Sequence, residues 1–246
     1  MNNEPTITTN SNRRGASSMV WFIAARMPLF GGILAASLVL GGCTGGVTED
    51  ISTSALAPGA VNAAELKKPG PLKEMSLGNP AAPTTVIEYA SLGCPICANF
   101  HKKVFPKFKA AYIDTGKVHY IYREFPIGPS PEAAAHAVRC TPEALYFKTN
   151  ETFMATRGQW NARTPDNELL YKIVQDTGLT RAAFDSCMAN QKIKDDIKLV
   201  RQRGRELGVK GTPTFFINGQ QIRGFLSYED LQKLIEEHIK LAAKPA

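Results

Sequence analysis

The sequence predicts an α/β chain in which a βαβ half and a ββα half are separated by a helical insertion. Three observations predict it. A β-branched and aromatic run, 84-TTVIEYA-90, leads directly into a proline-started helical pattern. Near the C-terminus, two short apolar runs flank Asn218-Gly219. Between them, roughly 130–208 reads as helix after helix.

Residues 84–90, with Pro83 at the edge, read as a strand. Pro95 suits the first turn of the following helix, because its missing N–H would have no intrahelical partner there. Phe100, Val104, Phe105 and Phe108 supply that helix with an apolar face. Pro106 should kink it. Residues 118-VHYIYREFP-126 alternate in part and read as a second strand, completing a βαβ unit. In the insertion, Pro131 precedes an alanine-rich run, and helical patterns follow over 142–157, 165–178, 180–190 and a charged stretch reaching Leu207. Gly178-Leu179-Thr180 is a stop followed by an N-cap. Residues 214–217 and 220–224 read as a hairpin turned by Asn218-Gly219. Ser227, with Asp230 three positions on, begins a last helix with Leu231, Leu234, Ile235 and Ile239 on one side.

Ahead of the folded part, residues 1–27 carry Arg13, Arg14 and Arg26 against one acid, Glu4. The apolar run 28-PLFGGILAASLVL-40 and 41-GGC-43 follow. A basic start, a short apolar stretch and small residues before a cut describe a secretory signal over 1–42. The run is too short to span a bilayer, which takes roughly 20 apolar residues. Leu40-Gly41-Gly42-Cys43 resembles the lipobox of bacterial lipoproteins, with Gly41 a less usual occupant, and marks Cys43 for lipidation. The alternative is ordinary cleavage nearby, with Cys43 incidental. Residues 43–76 read as a lipid-anchored tether, small and polar as far as Gly70. The remaining boundaries are a first half over 77–129, the insertion over 130–208 and a second half over 209–246.

The chain is 43 % hydrophobic and 21 % charged, with a formal net charge of +7. Its basic residues form no cluster interleaved with aromatics, which gives a nucleic-acid role little support. Lys102, Lys103, Lys107 and Lys109 read as a solvated helix face.

Five cysteines is an odd number for an exported chain, where thiols tend to pair. Assigning Cys43 to lipid leaves Cys94, Cys97, Cys140 and Cys187. Four cysteines allow three pairings, and the closeness of Cys94 to Cys97 favours 94–97 with 140–187. The alternative for Cys140 and Cys187 is a pair of reduced, buried small hydrophobes. A zinc site wants about four ligands in close pairs. The second two cysteines stand 47 positions apart, and His101, His119, His136 and His238 show no ligand spacing, so no metal is expected. Cys94 precedes the first turn of a helix, where unpaired N–H groups and the dipole favour a thiolate, and reads as the nucleophile. Cys97, one turn in, reads as the resolving thiol.

With the strand before Cys94-Pro95-Ile96-Cys97, the following Phe100-His101, the insertion and 211-GTPTFFING-219, the chain resembles the DsbA-like thiol–disulfide oxidoreductases of the thioredoxin superfamily from about Leu77 to Ile239. The resemblance implies a thioredoxin fold with a helical insertion. It implies that Gly211-Thr212-Pro213-Thr214 is the cis-proline loop, with Pro213 facing the dithiol and the Thr212 backbone pairing with substrate. Pro95 and Ile96 would border the same surface. Glu88 resembles the buried acid that assists proton movement at Cys97; Val86, Glu88 and Ala90 share a strand face. The alternative is a solvent-facing glutamate on an edge strand. His101 lies on the same helix face as Cys97 and reads as a boundary histidine; His119 is assigned no role. The second cysteine pair looks like an arrangement known in some alphaproteobacterial members.

The family's chemistry needs no cofactor. Its partners would be unfolded or reduced exported proteins, a DsbB-like membrane partner and, through Cys43, the membrane itself, with the chain a monomer facing the periplasm. Ile96 departs from the histidine of the best-known DsbA dithiol and offers the thiolate no donor. DsbA lies at about −120 mV and thioredoxin at about −270 mV, and this chain is expected between them. The favoured function is a dithiol oxidase. An isomerase or reductase kept reduced by a membrane donor is the alternative, and a non-catalytic copper-binding or holdase-like envelope protein is a third.

Overall fold

The computed structural model describes Val61 and residues 63–243. The signal and lipidation readings, on 1–42 and Cys43, lie outside the described residues. Among those described, no helix is long and apolar enough to cross a membrane.

Five strands form one sheet in the order β1-β3-β2-β4-β5: β1 is Met75–Leu77, β2 Thr84–Ala90, β3 Val118–Glu124, β4 Thr214–Ile217 and β5 Gln220–Arg223. β2 runs parallel to β3 and antiparallel to β4, and Glu88 stands opposite Tyr122 on one side and Phe215 on the other. β2 is therefore central, which removes the edge-strand reading of Glu88. All seven of its residues are buried, as a strand covered on both faces must be.

The period-2 alternation divides the core. Val86, Ala90, Val118, Tyr120, Tyr122, Phe215 and Ile217 meet Cys97, Phe100 and the insertion on one face. Ile87, Tyr89, Ile121 and Phe216 meet Phe125 and Val209 on the other. Between β2 and β3, α2 (Pro95–Lys103) ends at Val104, α3 (Phe105–Phe108) follows, and a π-helical turn over Lys109–Ile113 closes the crossover. The break falls where Pro106 lacks an N–H for the helical ladder. The β4–β5 hairpin turns on Asn218 and Gly219, both at positive φ (46° and 96°), the two-residue turn that Asn-Gly favours.

The insertion comprises α4 (Pro129–Arg139), α5 (Tyr146–Ala155), α6 (Arg157–Trp160), α7 (Asn167–Val174), α8 (Arg181–Met188) and α9 (Gln191–Glu206). Asp166, Thr180 and Asn190 cap α7, α8 and α9 through their side chains. A Cys140–Cys187 disulfide, with Cα atoms 5.9 Å apart, joins the end of α4 to α8. α9 lies so close to the sheet that a Cβ on Gly204 would stand 2.8 Å from the Tyr89 ring. The final helix, α10 (Tyr228–Ala242), is capped by Ser227, whose oxygen accepts from the Asp230 N–H at 3.1 Å.

One boundary needs correcting. The tether read over 43–76 contains α1 (Ala63–Lys67) and the first two residues of β1. Leu66, 2 % exposed, enters the core on the second face of the sheet. Arg203 of α9 donates to the Glu65 carbonyl at 2.8 Å, and Arg139 donates to the Lys73 carbonyl at 2.7 Å. Those backbone contacts carry no sequence signature, so this segment looks like linker until its position is known.

Candidate active site

Cys94 is the N-cap of α2. Its sulfur accepts from the Cys97 N–H at 3.4 Å, taking one of the donors a helix start leaves unpaired. Pro95 occupies the first turn without wasting a donor. Across the cleft, the Thr212–Pro213 peptide bond is cis. The Thr212 carbonyl stands 3.3 Å from the Cys94 sulfur, which donates to it as a thiol. Cys94 is partly exposed, while Cys97 is fully buried. Ile96 is 44 % exposed beside them.

These positions divide the two thiols chemically. The Cys97 side chain donating to Cys94 lowers the Cys94 pKa to about 5; the Thr212 side chain, not its carbonyl, and the backbone N–H groups of Ile96 and Cys97 act in the same sense against partial burial. Cys97 moves the other way. Burial, its bond to Cys94 and the charge of Glu88 hold it well above the usual thiol range. The site thus holds one stable thiolate and one protonated thiol at neutral pH.

Glu88 is wholly buried below the pair. Its carboxylate accepts from the Tyr120 hydroxyl at 2.5 Å and meets His101 Nε2 at 3.1 Å. The boundary reading of His101 is therefore corrected: it is buried between Phe100, Phe105 and Tyr122 and paired to the acid. His101 also lines a groove of about 420 Å³ with Ala98, Lys102, Glu151 and Met154. The acid under the dithiol is one imidazole away from a groove on the surface of the chain.

Tyr120 was missed by sequence reasoning. The available signal was strand alternation, which puts Tyr120 on the same face as Tyr122, opposite Glu88. The insertion also abuts the active-site turn. Asn161 donates to the Gly93 carbonyl at 3.3 Å, and a Cβ on Gly93 would meet Pro131 at 2.5 Å. His119 is half-buried in β3, away from this group.

A thioredoxin family model matches residues 72–237. A putative protein-disulfide oxidoreductase of Rickettsia bellii is 30 % identical over 172 residues, 68 % of this chain and 65 % of that protein. The chain spans 61–65 % of the length of this and two further Rickettsia relatives. A probable disulfide bond formation protein D of Bacillus anthracis is 28 % identical over 177 residues, covering 68 % of this chain and 79 % of that one. The crystal structure of Wolbachia pipientis alpha-DsbA1 matches with a TM-score of 0.67 and 33 % identity, covering 74 % of this chain and 98 % of the other. With its dithiol at the start of α2 and its helical insertion between β3 and β4, the chain belongs to the DsbA-like protein-disulfide oxidoreductase family of the thioredoxin superfamily.

Proposed function

We propose that the chain is a dithiol oxidase that introduces disulfides into exported proteins through Cys94 and Cys97. The observation that carries this reading is the Cys94 sulfur at the N-cap of α2, accepting from the Cys97 N–H beside a fully buried Cys97, a position that lowers the Cys94 pKa to about 5. A stable thiolate is a good leaving group, so a disulfide made with it is readily given away.

In the oxidised enzyme, a substrate thiolate attacks Cys94 Sγ and the Cys94–Cys97 bond breaks. The electron pair leaves on Cys97, which takes up a proton. Glu88, paired to His101 and so to the groove, passes that proton inward from the groove and returns it on reoxidation. The substrate's second thiolate then attacks its own sulfur in the mixed disulfide, expelling Cys94 as thiolate. Two electrons pass from substrate to enzyme. The Thr212 backbone and Pro213 hold the substrate strand, with Pro95 and Ile96 bordering it. A DsbB-like membrane protein accepts the electrons.

Residues 1–42 export the chain to the cell envelope, and Cys43 carries the lipid that holds this monomer at the membrane. The support is the sequence pattern alone. Cys43→Ala should move the protein from the membrane to the soluble envelope fraction; retention at the membrane would defeat the anchor.

The deciding test of the oxidase is the reduction potential of Cys94–Cys97, by equilibration with glutathione. A value above about −180 mV supports the oxidase. A value near thioredoxin's, about −270 mV, defeats it. That result would favour the second reading, an isomerase or reductase kept reduced by a membrane donor, to which the Ile96 beside the thiolate already lends support.

A further inference from the structure

We propose that His136, Cys140 and Cys187 form a redox-gated zinc site in the helical insertion, closed while the two cysteines are a disulfide and opened when they are reduced. Sequence reasoning found no ligand spacing among the histidines; the fold brings one of them to the second cysteine pair. His136 and Cys140 stand four positions apart at the end of α4, on one helix face. α8 brings Cys187 to the same point.

One ligand atom from each residue lies within 4.8 Å of the other two. Zinc–sulfur and zinc–nitrogen bonds of about 2.3 and 2.0–2.1 Å in a tetrahedron put ligand atoms roughly 3.5–3.8 Å apart. Small side-chain movements close that difference. Two thiolates and one imidazole are a zinc donor set found on other folds, and they leave a fourth position open.

A second observation points to the ligand. His136 is 1 % exposed, yet neither ring nitrogen makes a hydrogen bond of good geometry. Buried polar atoms rarely stay unpartnered without a reason. The Cys187 carbonyl lies near the ring without a well-directed bond. In a metal-bound state, the ring could give one nitrogen to zinc and turn the other toward that carbonyl, the arrangement that orients most ligating histidines.

The site also has access. His136 lines a groove of about 670 Å³ with Gly128, Glu132, Met188, Lys194 and Arg201, from which a water completes the tetrahedron. Lys194 and Arg201 oppose a cation there, and the two thiolates offset them. This opposition fits a site that binds only once the thiolates exist.

The chemistry balances in two steps. A dithiol reductant gives two electrons and two protons to the Cys140–Cys187 bond, yielding two thiols and its own disulfide. Zinc then displaces the two thiol protons, and neutral His136 contributes a lone pair. Bound zinc blocks both sulfurs from reoxidation and ties α4 to α8 in place of the disulfide.

The test uses the full chain with Cys43→Ser, Cys94→Ser and Cys97→Ser, so that Cys140 and Cys187 are its only thiols. Cobalt is titrated anaerobically into oxidised and reduced protein and then displaced with zinc. The expected result is one cobalt per reduced chain, with sulfur-to-cobalt charge-transfer absorbance, and none in the oxidised chain. Adding His136→Gln should weaken zinc at least tenfold while leaving the helical circular dichroism intact. Absence of stoichiometric cobalt after reduction, or binding unchanged by His136→Gln, would overturn the proposal. If that variant does not fold, X-ray absorption of the zinc-loaded parent decides. Two sulfurs together with the outer-shell scattering of an imidazole ring support the site, and absence of the imidazole signal refutes it.

Discussion

The Cys94 thiolate rests first on its neighbour's thiol, and Cys97→Ala removes that donor while leaving the helix start in place. A hydrogen bond to a charged group is worth about 1.5–3 kcal/mol, which corresponds to roughly 1–2 pKa units. Starting from about 5, the Cys94 midpoint should rise to about 6–7. The backbone N–H of residue 97 and Thr212 remain, so the value should stay below that of a free thiol. Cys97→Ser, which keeps a hydroxyl donor, should lie between the variant and the parent. The assay is ultraviolet absorbance of the thiolate against pH, checked by the pH dependence of alkylation with iodoacetamide. A midpoint still near 5 in Cys97→Ala would refute the reasoning and place the stabilisation in the helix end and Thr212 alone.

Other outcomes follow from the same geometry. The lowered Cys94 pKa makes a stabilising contribution that is fully present above the unfolded value, near 9, and lost as pH falls through about 5. Discounted by half for solvent at a half-exposed sulfur, it amounts to about 2–3 kcal/mol. Urea unfolding of the reduced chain should therefore gain on the oxidised chain as pH rises from 5 to 8, and a constant difference would contradict this. Glu88→Gln should slow single-turnover oxidation of a dithiol peptide by about 10²-fold. It should leave the Cys94 midpoint near 5, because Glu88 is not among the groups that set it; unaltered turnover would remove the acid from the mechanism. Gly93→Ala should destabilise by about 1–3 kcal/mol through the Pro131 and Asn161 contacts, with calorimetry as the check. Cys140→Ala with Cys187→Ala should cost about 4 kcal/mol by loop entropy across 47 residues; denaturant unfolding that matches the parent would show the staple to be dispensable.

Much of the frame is local and could be read along the chain. The strand at 84–90, the helix start at Pro95, the Asn218-Gly219 hairpin and the Ser227 cap each depend on neighbours within a few positions. Period-2 alternation was enough to place Glu88 on the face of Val86 and Ala90. The position of Cys94 before a helix was enough to name it the nucleophile, since the unpaired N–H groups that favour a thiolate belong to that helix. The pairing of Cys140 with Cys187 came from counting cysteines, not from any local pattern.

Strand order, partnership and depth were decided by the tertiary structure alone. Whether Glu88 sat on an edge or at the centre depended on β4 arriving from more than 120 residues away. His101 became the partner of that acid because the crossover helix packs onto β2 and β3, which brings residues 13 positions apart to 3.1 Å. The 63–74 segment is held by carbonyls that accept from Arg203 and Arg139, atoms every residue possesses and no composition distinguishes. His136 met the cysteine pair only when α8 folded back on α4. Local preference writes the helices and the hairpin turn, because their hydrogen bonds and caps close within a few residues, whereas the strands find their partners only across the sheet. The ionisation of Cys97 and the surroundings of Glu88 and His136 depend on burial, which exists only after distant segments have excluded water together.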